Sequence, residues 1–131
     1  FEVRVRPIIR EGKTGRERDA FLSAIEKSGG NELDRSEVYV QWLRDLLRRQ
    51  GGAELIEAGV TRYQQLGVTR KSQKSSSDDA RHSSLVSGPD AVLAGQLRVA
   101  DPQAFAQLLA RGVGRHRAFG FGLLLLRSAR G

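Results

Sequence analysis

The segment from Asp34 to Gly51 constrains the fold of this chain more than any other, because its apolar residues recur with the period of a helix. Asp34 and Glu37 have the spacing of a capping box, and Gly51 is placed to end the helix. The apolar stripe consists of Val38, Tyr39, Trp42, Leu43, Leu46 and Leu47. The pattern predicts a helix that begins after Asp34 and buries one face.

Other strand and helix patterns lie on the N-terminal side and just after this helix. The opening residues 1–6 alternate apolar and charged side chains, which predicts a strand with one buried face and one face that presents Arg4 and Arg6. The apolar cluster at residues 20–25 predicts a short helix between loops. Residues 59–72 mix apolar side chains with glycines and predict one or two irregular strands.

The C-terminal third continues the alternation. Residues 91–99 predict a strand, and Asp101 followed by Pro102 is an N-cap with proline at the first helical position. Gly112 is placed to end that helix, and residues 119–127, apolar on both faces, predict a buried strand. The order is that of a ferredoxin-like β-α-β-β-α-β unit, so the predicted fold class is α+β.

Length and composition exclude several classes of protein. A chain of 131 residues suffices for one compact domain or one lobe of a larger protein. The absence of cysteine excludes disulfide frameworks, thiolate zinc sites and cysteine nucleophiles. No signal-peptide pattern opens the chain, and its apolar runs are too short to span a bilayer. We expect a cytoplasmic protein without membrane attachment, and an opening in mid-strand without methionine indicates a fragment or a processed product.

Charge is segregated along the chain, whose net charge is +7. Bases outnumber acids by six to three in residues 1–18, by five to two in 62–82 and by five to none in 111–131. Residues 19–61 hold eight acids and five bases. If folding brings the three basic segments together, they form a surface for polyanions, since phosphate contacts supply most of the sequence-independent affinity for nucleic acid. The alternative is a basic protein with scattered solvated side chains.

Four glycines bracket a basic core, GVGRHRAFGFG, over residues 112–122, between the last predicted helix and the last predicted strand. Glycine permits positive φ and close backbone approach, so a loop of this kind can direct N–H groups and basic side chains at a phosphate. The alternative is a tight helix-to-strand turn whose glycines only relieve crowding.

The spacing of these glycines is specific. Glycine, hydrophobe, glycine, five residues, glycine, hydrophobe, glycine is similar to the C-terminal glycine-rich loop of CRISPR repeat RNA endonucleases. The run from Gly95 through Asp101-Pro102 and Phe105 to Leu124 resembles the type I-E member, the CasE family. The opening strand, the Trp42 helix and a polar tract before Gly95 fall in the order of that family's second domain. The resemblance therefore spans nearly the whole chain.

The resemblance implies a protein of two tandem ferredoxin-like domains, of which residues 1–131 are the second, C-terminal RNA-binding domain and the first is missing. Such proteins bind the hairpin of a CRISPR repeat transcript and cut at its 3′ base without metal or other cofactor. The 2′-hydroxyl attacks the adjacent phosphate, assisted by a histidine and often a tyrosine of the first domain, and neither has a matching position here. The product stays bound, and the protein joins the other subunits of the type I-E surveillance complex.

The resemblance also assigns RNA-binding residues. In the loop over residues 112–122 the matching glycines and the basic interior are Gly112, Gly114, Gly120 and Gly122 with Arg115, His116 and Arg117. A polar tract at about 70–82 has nothing to bury and predicts a flexible loop. It falls where the family has a basic hairpin that enters the RNA groove, which gives phosphate contacts to Arg70, Lys71, Lys74 and Arg81.

Two histidines are candidates for proton transfer, because imidazole titrates near neutrality. His82 lies in the polar tract, and His116 lies in the glycine-rich loop, where the family's motif does not require histidine. The catalytic residue is therefore unassigned, with His116 as a candidate phosphate contact or substitute base. Two histidines far apart and no cysteine make a poor ligand set, so no metal site is predicted.

Three hypotheses for function follow. The first is the RNA-binding lobe of an endonuclease that depends on the missing domain for catalysis. The second is a noncatalytic RNA-binding or scaffold subunit, and the third is a basic α+β domain whose partner is a protein. An upstream ferredoxin-like sequence with a histidine near its first helix favours the enzyme, whereas salt-insensitive behaviour without RNA affinity favours the third.

Overall fold

A computed structural model of the chain describes residues 1–71 and 83–129, and of residues 68–71 and 83–86 it describes the backbone alone. The strands in those ranges are β1 (Glu2–Val5), β2 (Ile8–Arg10), β3 (Glu17–Asp19), β4 (Ala53–Lys71), β5 (Ser83–Val99) and β6 (Leu124–Leu125). The helices are α1 (Ala20–Lys27), α2 (Arg35–Gln50) and α3 (Pro102–Arg111), with a 3-10 turn at Arg117–Phe119.

Four strands form the main sheet in the order β4-β5-β1-β6, with all neighbours antiparallel. Apart from an insertion that contains β2, β3 and α1, the elements follow the chain order β-α-β-β-α-β. The first and last strands of that series are neighbours, and the two middle strands pair at the opposite side of the sheet, which is the ferredoxin-like arrangement. The predicted α+β class and the order of its elements are confirmed.

Local signals set the helix ends where the sequence predicted them. The Asp34 carboxylate accepts a hydrogen bond from the Ser36 N–H at 2.7 Å, and Asp101 accepts from two N–H groups in the first turn of α3 at 3.0 and 3.2 Å. Gly51 and Gly112 end α2 and α3 with φ values of 76° and 82°, which glycine adopts without steric cost. None of the helices in the described ranges combines the length and the apolar character needed to cross a membrane.

The core lies between the helices and one face of the main sheet. Val3 pairs with Leu93 of β5 and Leu124 of β6, and all three side chains are buried. The helices contribute Tyr39, Leu43, Leu47, Phe105 and Leu108 to the same cluster. Because side chains alternate along a strand, Glu2 and Arg4 project from the opposite face. That open face therefore carries charged side chains, as the alternation of the opening residues predicted.

The long strands differ in extent from the prediction. Residues 59–72, predicted as one or two irregular strands, belong up to Lys71 to a single strand of 19 residues that pairs with β5 throughout. The register shifts after Leu55 and again after Val60. Each such bulge leaves one residue unpaired and bends the strand. The irregular pattern thus reflects bulges in one strand, and the strand predicted at 91–99 is the second half of β5.

The buried strand predicted over residues 119–127 is wrong for most of its length. Only Leu124–Leu125 pair with β1, and Leu125 and Leu126 are exposed. Gly120 and Gly122 have φ values of 86° and 89°, which are incompatible with an extended strand of L-residues. The chain therefore turns where its apolar composition predicted a strand.

A two-stranded hairpin, formed by β2 and β3 between β1 and α1, was not predicted. Each of its strands has three residues, Ile8–Arg10 and Glu17–Asp19, which is too short for an apolar alternation from which the sequence could identify them. The helix predicted at residues 20–25 is confirmed as α1, and the Asp19 carboxylate caps it by accepting from the Phe21 N–H at 2.8 Å.

The insertion is fixed to the core by a buried polar cluster around Asp19. The hydroxyl of Tyr39, a fully buried residue of α2, donates to the Asp19 carboxylate at 2.9 Å. Arg35 donates to both groups, at 2.9 Å to the carboxylate and 2.8 Å to the hydroxyl, and its guanidinium lies over the rings of Phe21 and Tyr63. Burial first and the Asp19 carboxylate second raise the pKa of Tyr39, so the hydroxyl keeps its proton.

Replacing Tyr39 with phenylalanine will lower the free energy of unfolding by about 2 kcal/mol, because Asp19 stays buried and loses a donor. Urea unfolding monitored by circular dichroism measures the change. Tyr63→Phe is the matched control, since among the described residues its hydroxyl accepts a hydrogen bond from the exposed Gln65 side chain alone, and we expect a change within about 0.5 kcal/mol. Equal effects of both substitutions would contradict this role for the cluster.

Candidate nucleic-acid interface

The glycine-rich loop, residues 112–122, is closed at its base by backbone hydrogen bonds. The Val113 N–H donates to the Gly122 carbonyl at 2.8 Å, and the Gly122 N–H donates to the Arg4 carbonyl of β1 at 2.7 Å. The Gly112 N–H donates to the Leu108 carbonyl and ends α3. The loop is therefore held at once to the helix and to the sheet.

The glycines of the loop serve close backbone packing. A Cβ on Gly122 would lie 2.5 Å from the Val113 carbonyl oxygen, and one on Gly112 would lie 3.0 Å from the Gly122 carbonyl oxygen. The N–H groups of Gly112, Gly120 and Gly122 all donate within the chain. Relief of crowding, one of the two sequence interpretations, accounts for Gly112 and Gly122, whereas a Cβ on Gly120 would meet nothing within 4 Å. Because the N–H groups of all three glycines already have acceptors in the chain, we expect phosphate contacts in the loop to come from its side chains.

The basic interior of the loop presents its three side chains differently. Arg115 is exposed and makes no hydrogen bond or ion pair to any described residue. Arg117 is exposed and donates to the carbonyl of Arg111 at the end of α3. His116 is only 16% exposed at its side chain, and its Nε2 lies 2.7 Å from an Oε2 of Glu17 in β3. The two arginines face solvent while the histidine joins the loop to the β2–β3 hairpin.

His116 also occupies a left-handed backbone conformation, with φ 64° and ψ 32°. Among the described residues it is the non-glycine residue with positive φ, which costs an L-residue roughly 1–2 kcal/mol. Its contact with Glu17 and the proximity of its ring to Phe119, at 6.2 Å between centroids, stabilise that conformation.

The open face of the sheet carries a second group of arginines. Arg4 and Arg62 both pair with Val92, so the three side chains lie in one row across β1, β5 and β4. Arg4 makes two hydrogen bonds to the buried Asp90 carboxylate, at 2.8 and 2.7 Å, and Gln64 donates to the same carboxylate at 2.8 Å. Arg62 is exposed and makes no ion pair with a described residue. We refer to Arg4, Arg62, Arg115 and Arg117 as the basic surface.

Hydrogen bonding fixes the ionisation of this face. The hydrogen bond from Arg4 holds the pKa of Asp90 below its usual range, with Gln64 and the charge of Arg62 acting in the same direction against the effect of burial. The same hydrogen bond raises the pKa of Arg4. Asp90 therefore stays ionised and neutralises one arginine, which leaves Arg62 as a net positive charge on the open face.

This ion pair predicts a loss of stability in acid. Since the pKa of Asp90 is lower in the folded chain than in the unfolded one, its contribution is complete above about pH 4 and is lost as the pH falls through the folded pKa. Asp90→Asn should cost about 2 kcal/mol at pH 7 and progressively less below pH 4, as measured by urea unfolding across pH. Glu32→Gln is the control, because Glu32 is exposed and makes no ion pair with a described residue. A cost for Asp90→Asn that does not change with pH would contradict this assignment.

The sequence predicted that Arg6 lies with Arg4 on the exposed face of β1, and this prediction is wrong. It is 2% exposed, and burial lowers the pKa of its guanidinium. The side chain donates to the Pro89 and Leu66 carbonyls, each at 3.3 Å, and lies 5.5 Å from the centre of the Phe121 ring, which Arg4 also covers at 4.7 Å. Arg6 thus joins β1 to the β4–β5 hairpin, and Phe121 joins it to the glycine-rich loop.

Folding brings the three basic segments of the sequence together. The first segment, residues 1–18, contacts both of the others. The Arg4 carbonyl accepts from Gly122 in the last segment, and Arg6 donates to Leu66 in the middle one. The three basic segments are therefore in contact in the fold, and this contact is the condition under which the charge distribution predicts a surface for polyanions.

Of the remaining predicted site residues, two lie at the end of β4. Arg70 and Lys71 are the last two residues of β4, and their Cα atoms pair with those of Ser84 and Ser83. Lys74, Arg81 and His82 lie outside the described residues. Within the described ranges, no three His, Asp or Glu side chains are grouped closely enough to hold a metal ion.

Sequence reasoning missed two residues of this region. Asp90 and Glu17 are acids that hold basic-region residues in place, and neither belongs to a recognisable motif. The alternation of β1, which placed Arg4 on the open face, was the one signal that pointed toward a carboxylate partner across the sheet.

Comparison with known proteins places the chain in a family. Residues 1–128 match the family described as "CRISPR associated protein". The chain belongs to this CRISPR-associated family. A search of curated protein sequences gives no significant match.

Solved structures agree with that assignment. A structure of the CRISPR endoribonuclease Cse3 bound to 19 nucleotides of RNA aligns with 93% of this chain, at 26% sequence identity and with a TM-score of 0.66. Thermus thermophilus Cse3 bound to an RNA representing a pre-cleavage complex aligns at 24% identity with a TM-score of 0.63, a likeness that concerns the fold. These matches confirm the resemblance to the CasE family. The chain spans about half of the matched chains, 52% and 49%.

Proposed function

We propose that this chain binds the hairpin of a CRISPR repeat transcript, as the RNA-binding C-terminal domain of a CRISPR repeat endoribonuclease. Two observations carry the proposal: the three basic segments are in contact in the fold, and Arg62 and Arg115 are exposed and make no ion pair with a described residue. Arginines without an ion-pair partner contribute most when they bind phosphates, and the affinity from phosphate contacts falls as the salt concentration rises. The relative at 26% identity was solved bound to RNA, which supports the same class of ligand.

The arrangement fits recognition of a folded RNA by its backbone. The basic surface combines arginines of the open sheet face with arginines of the glycine-rich loop, both on elements held by backbone hydrogen bonds. Arginine makes paired hydrogen bonds to phosphate oxygens, and a double-stranded RNA offers regularly spaced phosphates rather than accessible base edges in its deep groove. In this proposal Arg70 and Lys71 at the end of β4, together with Lys74 and Arg81, add further phosphate contacts.

Cleavage at the 3′ base of the hairpin is proposed for the longer protein, with attack by the 2′-hydroxyl and no metal. The Nε2 of His116 contacts the Glu17 carboxylate, and the backbone of His116 has a positive φ. We therefore assign His116 to maintaining the conformation of the loop rather than to proton transfer. The product stays bound, and the protein is then the hairpin-holding subunit of the type I-E surveillance complex.

Binding and cutting of a labelled repeat hairpin in EDTA test this function. The chain alone should bind the hairpin more tightly than an unpaired RNA of the same composition. It should lose at least about a hundredfold in affinity between about 50 and 200 mM salt, as four or more phosphate contacts require. Cutting should need a longer polypeptide that includes the proposed first domain.

The other outcomes have distinct meanings. Cutting by this chain alone would overturn the assignment of His116 to loop geometry. Hairpin binding without cutting by the longer polypeptide would favour a noncatalytic RNA-binding subunit. Absence of salt-sensitive RNA binding would contradict the proposed function and leave a protein partner as the explanation for the basic surface.

A further inference from the structure

The β2–β3 hairpin lies beside the glycine-rich loop and has a well-defined end. The Glu11 N–H donates to the Arg16 carbonyl, and the Gly15 N–H donates to the Glu11 carbonyl, both at 2.9 Å. The Arg10 side chain donates to the Gly15 carbonyl at 3.3 Å. The turn between the strands is therefore closed by its own backbone and held by one of its own side chains.

This hairpin end carries three bases without acidic partners. Arg10, Lys13 and Arg16 are exposed, and none makes an ion pair with a described residue. The two acids of the same stretch are already engaged, since Glu11 accepts from Thr14 and lies 4.0 Å from Arg18, and Glu17 contacts His116. We refer to the three bases as the hairpin arm, which has a net positive charge available to a ligand.

The contact between Glu17 and His116 joins the hairpin arm to the loop. It connects residues 99 positions apart in the sequence. Arg10 is the residue opposite Glu17 in the hairpin register, so its side chain lies on the same face as the contact. His116 in turn lies between Arg115 and Arg117, and the contact brings two groups of arginines beside one carboxylate.

A carboxylate at this place is unfavourable for polyanion binding unless it has another role. Phosphates that approach Arg10 or Arg115 come near the charge of Glu17, which repels them. That role is to orient the loop against the hairpin. Among the described residues, Glu17 is the one whose side chain forms a hydrogen bond with His116.

We infer that the hairpin arm is a second phosphate-binding element of the RNA surface, and that Glu17 is the positioning residue that aligns it with the glycine-rich loop through His116. This inference rests on the proposed RNA binding. It adds Arg10, Lys13 and Arg16 to the interface. It also gives a structural role to Glu17, an acidic residue among basic ones.

Two substitutions of Glu17 separate positioning from simple electrostatics. Glu17→Ala removes the charge and the hydrogen bond, and we expect RNA affinity to fall about fivefold, the effect of one lost hydrogen bond between polar groups. Glu17→Gln removes the charge but keeps a partner for the imidazole, so affinity should be equal to or higher than that of the unmodified chain. If both substitutions raise affinity equally, Glu17 is only a repulsive charge and the inference is overturned.

A double-mutant cycle and an experiment without RNA complete the test. In a His116→Ala background, Glu17→Ala should no longer lower affinity, because the contact is already absent and only the repulsive charge is removed. Amide hydrogen exchange at Gly15 and Gly120 should accelerate in Glu17→Ala but not in Glu17→Gln, in the absence of RNA. Independent effects in the cycle, or unchanged exchange, would contradict the positioning role. If exchange behaves as expected and the chain binds no RNA, the proposed function fails while the contact stands.

The arm itself is tested by Lys13→Ala with Arg16→Ala. Loss of two phosphate contacts should reduce the slope of log affinity against log salt by about 2. Amide hydrogen exchange near the contact between Glu17 and His116 should be unaffected. Lys13 and Arg16 lie in the turn of the hairpin and take no part in that contact. An unchanged salt slope would exclude the hairpin arm from the RNA surface.

Discussion

Gly122→Ala will lower the free energy of unfolding by about 3 kcal/mol, the largest effect on stability that we expect from a single added methyl group. Gly122 has a φ of 89°, and a Cβ there would lie 2.5 Å from the Val113 carbonyl oxygen. A positive φ costs an L-residue about 1–2 kcal/mol, and relief of the overlap adds a similar amount. Because the Gly122 amide also bonds Arg4, the substitution will displace the loop from β1 and weaken RNA binding as well.

Gly120→Ala is the matched control for that prediction. Its φ is nearly the same, 86°, but a Cβ there would meet nothing within 4 Å. Only the conformational cost remains, about 1 kcal/mol. Urea unfolding of both variants measures the difference. Equal destabilisation would mean that the crossing of backbones at the base of the loop is not tight, and the account of the loop glycines would be wrong.

Reversal of the charge at Arg115 will reduce affinity for the repeat hairpin by roughly thirtyfold, which corresponds to about 2 kcal/mol for the loss of a charge-assisted contact. Arg115→Glu is chosen because the side chain is exposed and makes no hydrogen bond or ion pair with a described residue. The loss should shrink as salt is raised, since screening weakens both the original attraction and the new repulsion.

Arg98→Glu makes the same change of charge near the end of β5 and is the control. Arg98 pairs with Glu54 and lies eight residues along β5 from Asp90, about 26 Å away. Its reversal should change affinity by less than about twofold. Filter binding or fluorescence anisotropy at matched salt compares the two variants, and unfolding curves verify that both are folded. Similar losses would mean that net charge, rather than a defined surface, governs binding.

The sequence predicted the elements whose signals are local. α2 and α3 begin where Asp34 and Asp101 cap them and end where Gly51 and Gly112 take a positive φ, so each boundary depends on residues within one turn of it. The alternation in β1 depends only on the period of a strand. These signals also gave the element order and with it the ferredoxin-like arrangement.

What the sequence did not predict depends on contacts between distant residues. Arg6 is buried because Phe121, Leu66 and Pro89 surround it, and no pattern near Arg6 records those partners. Phe121 itself was assigned to a strand because apolar composition does not distinguish a strand from an apolar turn that folds under arginines. The contact of Glu17 with His116 spans 99 positions and has no local trace.

The candidate site was predicted in part. The sequence identified the basic interior of the loop, but it left open whether the glycines receive a phosphate or relieve crowding, and the distances at Gly112 and Gly122 favour crowding. That distinction matters for experiments, because substitutions at these glycines will affect stability first, whereas substitutions at Arg115 will affect binding alone.

Photochemical cross-linking of a bound repeat hairpin, with the linked residues located by mass spectrometry, tests the central claim most directly. The claim is that the basic segments at residues 1–18, 62–82 and 111–131 form one RNA surface. We predict cross-links in all three segments, suppressed at high salt, and none in α2. Cross-links confined to one segment, or concentrated in the acidic stretch at residues 19–61, would contradict it.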